Sequence, residues 1–220
     1  ERARPAEADA GHLMAHRPGL WIATNNRKKL AELQRLLAPL GIDLHTPDEL
    51  SQPFDPVEDQ PDFRGNARKK AAALAMLARG KALADDSGLC VDALGGRPGV
   101  HSARYGGPGL DDRGRLEHLL RELALVPAAR RTAHFTCSLC VCAADGTVLT
   151  TVEERCEGTL LAAPTGSGGF GYDPIFVPLE FDGDPARSFA QLDAATKDRL
   201  SHRGKALRRL AAELPALLAR

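Results

Sequence analysis

The chain has 220 residues, with 29 Lys+Arg balanced by 29 Asp+Glu and 43% AVILMFWYC residues. That suits one domain with a real core and an ordinary soluble globular composition. Balanced charge argues against a generic nucleic-acid binder, no stretch nears the roughly 18 apolar residues of a membrane span, and five cysteines are too few for a disulfide scaffold. A cytoplasmic protein with no nucleic-acid or membrane partner is therefore expected.

Residues 1–18 hold no apolar run of signal-peptide length. They are expected to form a flexible N-terminal extension, with Met14 a candidate start. From Leu20 the pattern becomes regular. Leu20–Thr24 reads as a strand, Asn25-Asn26-Arg27 as a polar turn, and Leu30, Leu33, Leu36, Leu37 and Leu40 as one helix face stopped by Gly41. A helix N-terminus and nearby lysines favour anions, so Thr24–Lys29 is either a phosphate cradle or an Asn-rich turn with solvated lysines.

Residues 45–63, with four prolines, read as irregular, and Asn66–Arg79 as an alanine-rich helix. A short strand, Ala82–Ala84, then meets Asp85-Asp86-Ser87-Gly88. Two carboxylates at a strand end can hold Mg²⁺ and activate a water, or they belong to a Ser/Asp turn. Residues 94–110 carry six glycines and read as a loop. Asp111–Leu125 reads as an amphipathic helix, and 133–143 with 147–155 as a hairpin around Ala144-Asp145-Gly146. Cys137 and Cys140 should point to opposite faces of their strand, which makes them core residues rather than a metal knuckle.

Gly166–Gly171 satisfies G-x-G-x-x-G, but Pro174 discourages the helix that a dinucleotide site requires, so a ligand-facing loop presenting Phe170 and Asp173 fits better. Ile175–Val177 is a short strand, and a helix runs from about Thr196 to the end. On an unbroken helix Lys197 and His202 would lie about 140° apart. They converge only if the helix breaks between them, where Ser201 could cap the new start; read alone, the cluster is better taken as a charged helix face. Alternating strands and helices with one inserted hairpin make an α/β protein with a mixed sheet.

Neither a P-loop nor an H-E-x-x-H motif is present. Taken in order, however, the segments resemble the inosine triphosphate pyrophosphatase family, the Ham1-like pyrophosphatases of non-canonical purine nucleoside triphosphates. The resemblance is carried by Thr24–Lys29, Phe63 with Asn66-Ala67 and Lys70-Ala71, Ala84–Leu89, and Ala93–Gly99 with Ser102–Tyr105. It continues through Gly168–Phe176 and Lys197 with Ser201–Gly204, and spans about Leu20 to Leu210.

The resemblance implies a long mixed β-sheet with flanking helices forming two lobes around a central cleft, a single domain over residues 19–220, and a homodimer. It implies Mg²⁺-dependent hydrolysis of ITP, dITP and XTP at the α-phosphorus, giving the monophosphate and pyrophosphate. Thr24, Asn25, Asn26 and Lys29 match the triphosphate loop and Lys70 a further phosphate contact. Asp86 matches the proton acceptor and a metal ligand, and Ser87 a substrate contact. Phe170, Gly171, Tyr172 and Asp173 match the base-binding loop, and Lys197, His202 and Arg203 the remaining nucleotide contacts. Alignment from Phe63 puts the second metal carboxylate at Glu58, with Asp59 and Asp85 as possible ligands.

Arg203 has donors only, so it would pair with a 6-oxo purine and oppose the 6-amino group of adenine. Gly65 stands where the family usually has an acid, and Val57–Pro61 departs from its Glu-rich pattern. The competing readings are a Maf-like nucleotide pyrophosphatase acting on modified nucleotides and a non-catalytic nucleotide-binding module.

Overall fold

A computed structural model describes residues 18–181 and 184–219. The loose extension expected for residues 1–18 lies, up to residue 17, outside them. In chain order the elements are β1 (Gly19–Ala23), α1 (Arg27–Leu37), β2 (Asp43–His45), α2 (Phe63–Ala78), β3 (Ala82–Val91) and α3 (Asp112–Glu122). Then come β4 (Thr132–Cys142), β5 (Val148–Leu160), β6 (Phe176–Pro178), α4 (Ala194–Leu200) and α5 (His202–Ala219). The six strands form one mixed sheet in the order β2-β1-β3-β4-β5-β6. β1 runs parallel to β2 and β3, and the pairs from β3 to β6 are antiparallel. This is the expected α/β architecture. Among the described residues no helix is long and apolar enough to cross a membrane.

Side chains alternate along a strand, and that alternation distributes the core. At the start of β3, Leu83 packs with Leu33 and Leu37 of α1 and Leu207, Leu210 and Leu214 of α5. Its neighbours Ala82 and Ala84 face the other way, against Ala67, Ala71, Leu74 and Ala75 of α2. At the far end, Leu89 and Val91 join a separate cluster with Leu116 and Leu119 of α3, its C-cap Leu123, and Phe135, Phe176 and Phe189. Cys137 falls in the α1/α5 core and Cys140 in the α2 core, so the two do lie on opposite faces.

Several boundaries depart from the sequence expectation. β3 does not stop at Ala84: it pairs with β4 from Ala82 opposite Cys142 to Val91 opposite Ala133. Asp85-Asp86-Ser87-Gly88 is therefore mid-strand rather than a turn, because the β4 ladder outweighs the turn-like composition. Gly88 fits there because a Cβ would stand 2.4 Å from Ser102 Oγ and 2.5 Å from the Gly99 carbonyl. α2 starts at Phe63, three residues ahead of the expected start, because Asp62 caps it, accepting a hydrogen bond from the Gly65 amide at 2.7 Å. β5 runs on to Leu160, where Gly158–Leu160 pairs with β6. β2 occupies three residues with no strand signal in the sequence reading.

The C-terminal helix is broken, as convergence of Lys197 and His202 required. Ser201 is extended (φ −67°, ψ 154°), and its Oγ accepts from the Gly204 amide at 3.1 Å. A Cβ on Gly204 would lie 1.7 Å from the Asp198 carbonyl oxygen, so only glycine lets α5 start this close to α4. Gly204→Ala must drive the two helices apart. An overpacking cost of about 3 kcal/mol should lower Tm by about 6–12 °C in a chain of this size. A calorimetric Tm equal to that of the wild type would show that the junction is not tight.

Candidate functional site

The middle of β3 lies between the two ends of the core, and the polar cleft opens there. Strand alternation sends Asp85 and Asp86 to opposite faces. Asp85 faces α1 and α5. Its fully buried carboxylate accepts from Lys29 Nζ at 2.6 Å, Arg203 Nε at 2.9 Å, Ser87 Oγ at 3.0 Å and Cys137 Sγ at 3.1 Å. Burial alone would raise this carboxyl. Arg203 and then Lys29 overcome it and hold Asp85 well below the usual range. With both oxygens engaged, Asp85 is an organising anion and not an open metal ligand.

Asp86 faces α2. Its Oδ1 accepts from Lys70 Nζ at 3.0 Å, while Oδ2 is buried with no hydrogen-bond partner among the described residues. Burial raises this carboxyl, against Lys70 and Lys29. Lys70 also donates to Glu58 Oε1 at 2.6 Å. Burial would raise Glu58 too, but Lys70 outweighs it and the Glu58 carboxyl stays low. The shared ammonium thus leans toward Glu58, in keeping with the shorter contact. Arg104 steadies Glu58 from outside, donating to its carbonyl at 2.9 Å. Asp59 belongs elsewhere: it accepts from Lys69 at 2.8 Å on the exposed side of α2.

The loop after β1 is ordered by its own side chains. Asn26 Oδ1 caps α1, accepting from the Lys28 and Lys29 amides at 3.0 and 3.1 Å. Thr24 Oγ1 accepts from the Asn26 amide at 3.1 Å, and Asn25 Nδ2 donates to the Phe54 carbonyl at 3.0 Å. Two of the helix amides expected to greet an anion are therefore already engaged, and the lysine side chains supply the charge.

The glycine loop has no helix after it: a 3₁₀ turn at Asp173–Ile175 leads into β6. Asp173 is buried and fastens the loop, accepting from the Phe170 amide and from Lys197 Nζ, each at 2.8 Å. Gly169 (φ 69°) is required because a Cβ there would stand 2.1 Å from that carboxylate. Phe170 is half-buried, with Lys197 5.1 Å and Arg203 5.9 Å from its ring centre. The Gly171 amide donates to Asp112 at 3.2 Å. Tyr172 donates to the Ser102 carbonyl at 3.1 Å, leaving only its ring for a ligand.

Because of the break at Ser201, Lys197, His202 and Arg203 line the same cavity. His202 stacks on Phe135 at 4.7 Å and 9°, with Nδ1 buried and unpartnered among the described residues. Burial, with Arg203 next, pushes its imidazole well below the usual value, so it is neutral. Arg203 donates to Asp85, to Glu32 and, at 2.8 Å, to Ser87. Glu32 also accepts from Lys197 at 3.0 Å.

Two cavities adjoin here and share Asn26, Lys29, Ser87 and Ala103. One is polar, lined by Thr24, Asn25, Glu58, Lys70, Asp85, Asp86 and Arg104. The other is aromatic, lined by Phe135, Phe170, Gly171, Tyr172 and Asp173 together with Lys197, His202 and Arg203. Every residue singled out in the sequence lines one or both, except Asp59. Sequence reasoning missed Glu32, which bridges Lys197 and Arg203. The available signal was its place three residues after Lys29, on the same face of α1.

The Ham1 family model matches residues 20–213. A dITP/XTP pyrophosphatase of an Anaeromyxobacter species is 43% identical, over 90% of this chain and 97% of that protein. One from Gloeobacter violaceus is 48% identical, over 87% and 91%. A solved Coxiella burnetii HAM1 protein superposes with a TM-score of 0.80 at 36% identity, over 90% of this chain and 98% of that one. A Mycobacterium abscessus nucleoside-triphosphatase / dITP/XTP pyrophosphatase gives 0.70 at 38%, over 87% and 98%.

Two stability measurements test the electrostatics. Asp85→Asn leaves Lys29 and Arg203 short of counter-charge inside the protein, which should cost about 3 kcal/mol or more in urea unfolding. A loss under about 1 kcal/mol, the scale of an exposed pair, would mean that water reaches the cluster. His202 gives a pH effect. Above the unfolded-state pKa of about 6.5 both states are neutral. Below it the unfolded chain binds a proton that the folded chain refuses, so stability falls with falling pH by up to about 1.4 kcal/mol per unit. Between pH 7.5 and 5.5, His202→Gln should lose about 1 kcal/mol less than the wild type. Parallel losses would show that the imidazole protonates in place.

Proposed function

This chain belongs to the Ham1 family, and from that premise we propose that it hydrolyses ITP, dITP and XTP to the nucleoside monophosphate and pyrophosphate. The observation that carries this reading is the pair of cavities joined at Lys29 and Ser87, one aromatic and one lined by carboxylates and lysines. A nucleotide spans them with its base on the Phe170 side and its phosphates on the Lys29–Lys70 side. The homodimer and the reading of residues 19–220 as one two-lobed unit rest on the family resemblance, and the cytoplasmic setting on composition.

The residues fit a hard divalent cation. Asp86 Oδ2 is a buried oxygen in need of a partner, and Glu58 lies across the same ammonium. Two carboxylates suit Mg²⁺, commonly held by one or two carboxylates with substrate phosphates completing the shell. When bound, Mg²⁺ would neutralise phosphate charge and make water more acidic. The chain's own groups do the rest. The Asp86 carboxylate takes the proton of the attacking water as its oxygen bonds to the α-phosphorus. The bond from the α-phosphorus to the bridging oxygen breaks, and Lys29 and Lys70 stabilise the charge gathering on the departing pyrophosphate. Arg203 has five N–H groups, and those not committed to Asp85, Glu32 and Ser87 address the purine O6.

With ITP the expected products are IMP and pyrophosphate, with none formed in EDTA. Asp86→Asn should lower kcat by about 10²–10⁴-fold. Glu58→Gln should raise the Mg²⁺ concentration needed for half-maximal rate, and Asp59→Asn should not. Release of IDP and orthophosphate would place the attack at the γ-phosphorus and overturn this assignment of Asp86.

A further inference from the structure

We infer that Arg115 reads the C2 substituent of the purine and separates xanthine from guanine nucleotides, an inference that rests on the base-pocket reading above. Arg115 lies near the start of α3 and lines the aromatic cavity, to which α4 and α5 bring Lys197, His202 and Arg203. Its Nε has no exposure to solvent and no hydrogen-bond partner among the described residues. Asp112, three residues earlier and in the same lining, is engaged elsewhere: it accepts from the Gly171 amide at 3.2 Å and stands 3.7 Å from Lys28. A buried donor without a partner is costly and rare, and a turn of the Arg115 guanidinium into the cavity it lines would bring its donors to an acceptor there.

The purines differ at the relevant position. O6 and the C2 substituent flank N1, so a base that offers O6 to Arg203 turns C2 to a different wall. Xanthine carries an oxygen acceptor there, hypoxanthine a hydrogen, and guanine an amino donor. A guanidinium only donates. Arg115 therefore gains a hydrogen bond from xanthine, is indifferent to hypoxanthine, and sets donor against donor with guanine. The O6 contact cannot make this distinction, because all three bases share it.

The test compares kcat/KM for XTP, ITP and GTP in the wild type, Arg115→Met and Arg115→Gln. Arg115→Met keeps the aliphatic stem, so ITP turnover should stay within about threefold and report that the variant is folded. The XTP:ITP ratio should fall by about 10- to 100-fold, the range of one hydrogen bond to a charged donor. Arg115→Gln adds an acceptor and should raise the GTP:ITP ratio above that of the wild type. If both ratios stay at wild-type values while ITP turns over normally, Arg115 does not read C2. A wild-type enzyme inert toward ITP would instead refute the pyrophosphatase reading itself.

Discussion

The structure depends on a buried carboxylate in the middle of a strand. Asp85 sits where an aliphatic side chain would ordinarily continue the core between Leu83 and Leu89. A lone charge there would be prohibitive, so elements from distant parts of the sequence supply partners: Lys29 from α1, Arg203 from α5 and Cys137 from β4. Replacing apolar packing with an ionic cluster at that point keeps a cleft open between two hydrophobic ends. It also fixes the angle at which α5 meets the sheet, because the Arg203 guanidinium must reach both Asp85 and Glu32.

Strand alternation makes the adjacent carboxylate a different chemical object. Asp86, on the α2 face, has one oxygen on Lys70 and the other without a partner, and burial holds its proton affinity above that of an ordinary aspartate. One residue of register therefore separates a saturated structural anion from a reactive one. The two cavities are lined by six cations, Lys29, Lys70, Arg104, Arg115, Lys197 and Arg203, against six carboxylates, Asp55, Glu58, Asp85, Asp86, Asp112 and Asp173. Such a lining carries no surplus positive charge with which to attract a naked triphosphate.

Local signals in the sequence marked the segments that local chemistry governs. The strand–turn–helix of β1 and α1 was legible from leucine spacing and asparagines, and the failed dinucleotide fingerprint from Pro174. The break at Ser201 was legible as a requirement, since Lys197 and His202 could share a site in no other way. What escaped depends on partners far along the chain. The Asp85–Gly88 segment has the composition of a turn, and only the β4 ladder, more than 45 residues away, makes it a strand. Glu58 and Asp59 are neighbours of like chemistry, separated only by which α2 lysine each meets: Lys70 inside the cleft, Lys69 on the surface. Glu32 stayed hidden because a glutamate on an amphipathic helix ordinarily faces water, and its two cations come from more than 160 residues downstream.

The same carboxylate ties the two cavities together. Arg203, which lines the aromatic side, and Lys29, which lines both, hold the two sides of Asp85, and Ser87 closes the circuit by donating to Asp85 while accepting from Arg203. Lys197 extends it through Glu32 to Asp173 and so to the Phe170 amide. None of Lys29, Lys197 and Arg203 can move toward a ligand without leaving a buried anion short of charge, and in a low-dielectric interior that deficit is felt by the next pair. In the proposed binding mode, contacts at the base would therefore not be energetically independent of contacts at the phosphates: a base drawing on Arg203 would alter how firmly Asp85 holds Lys29, a residue common to both cavities.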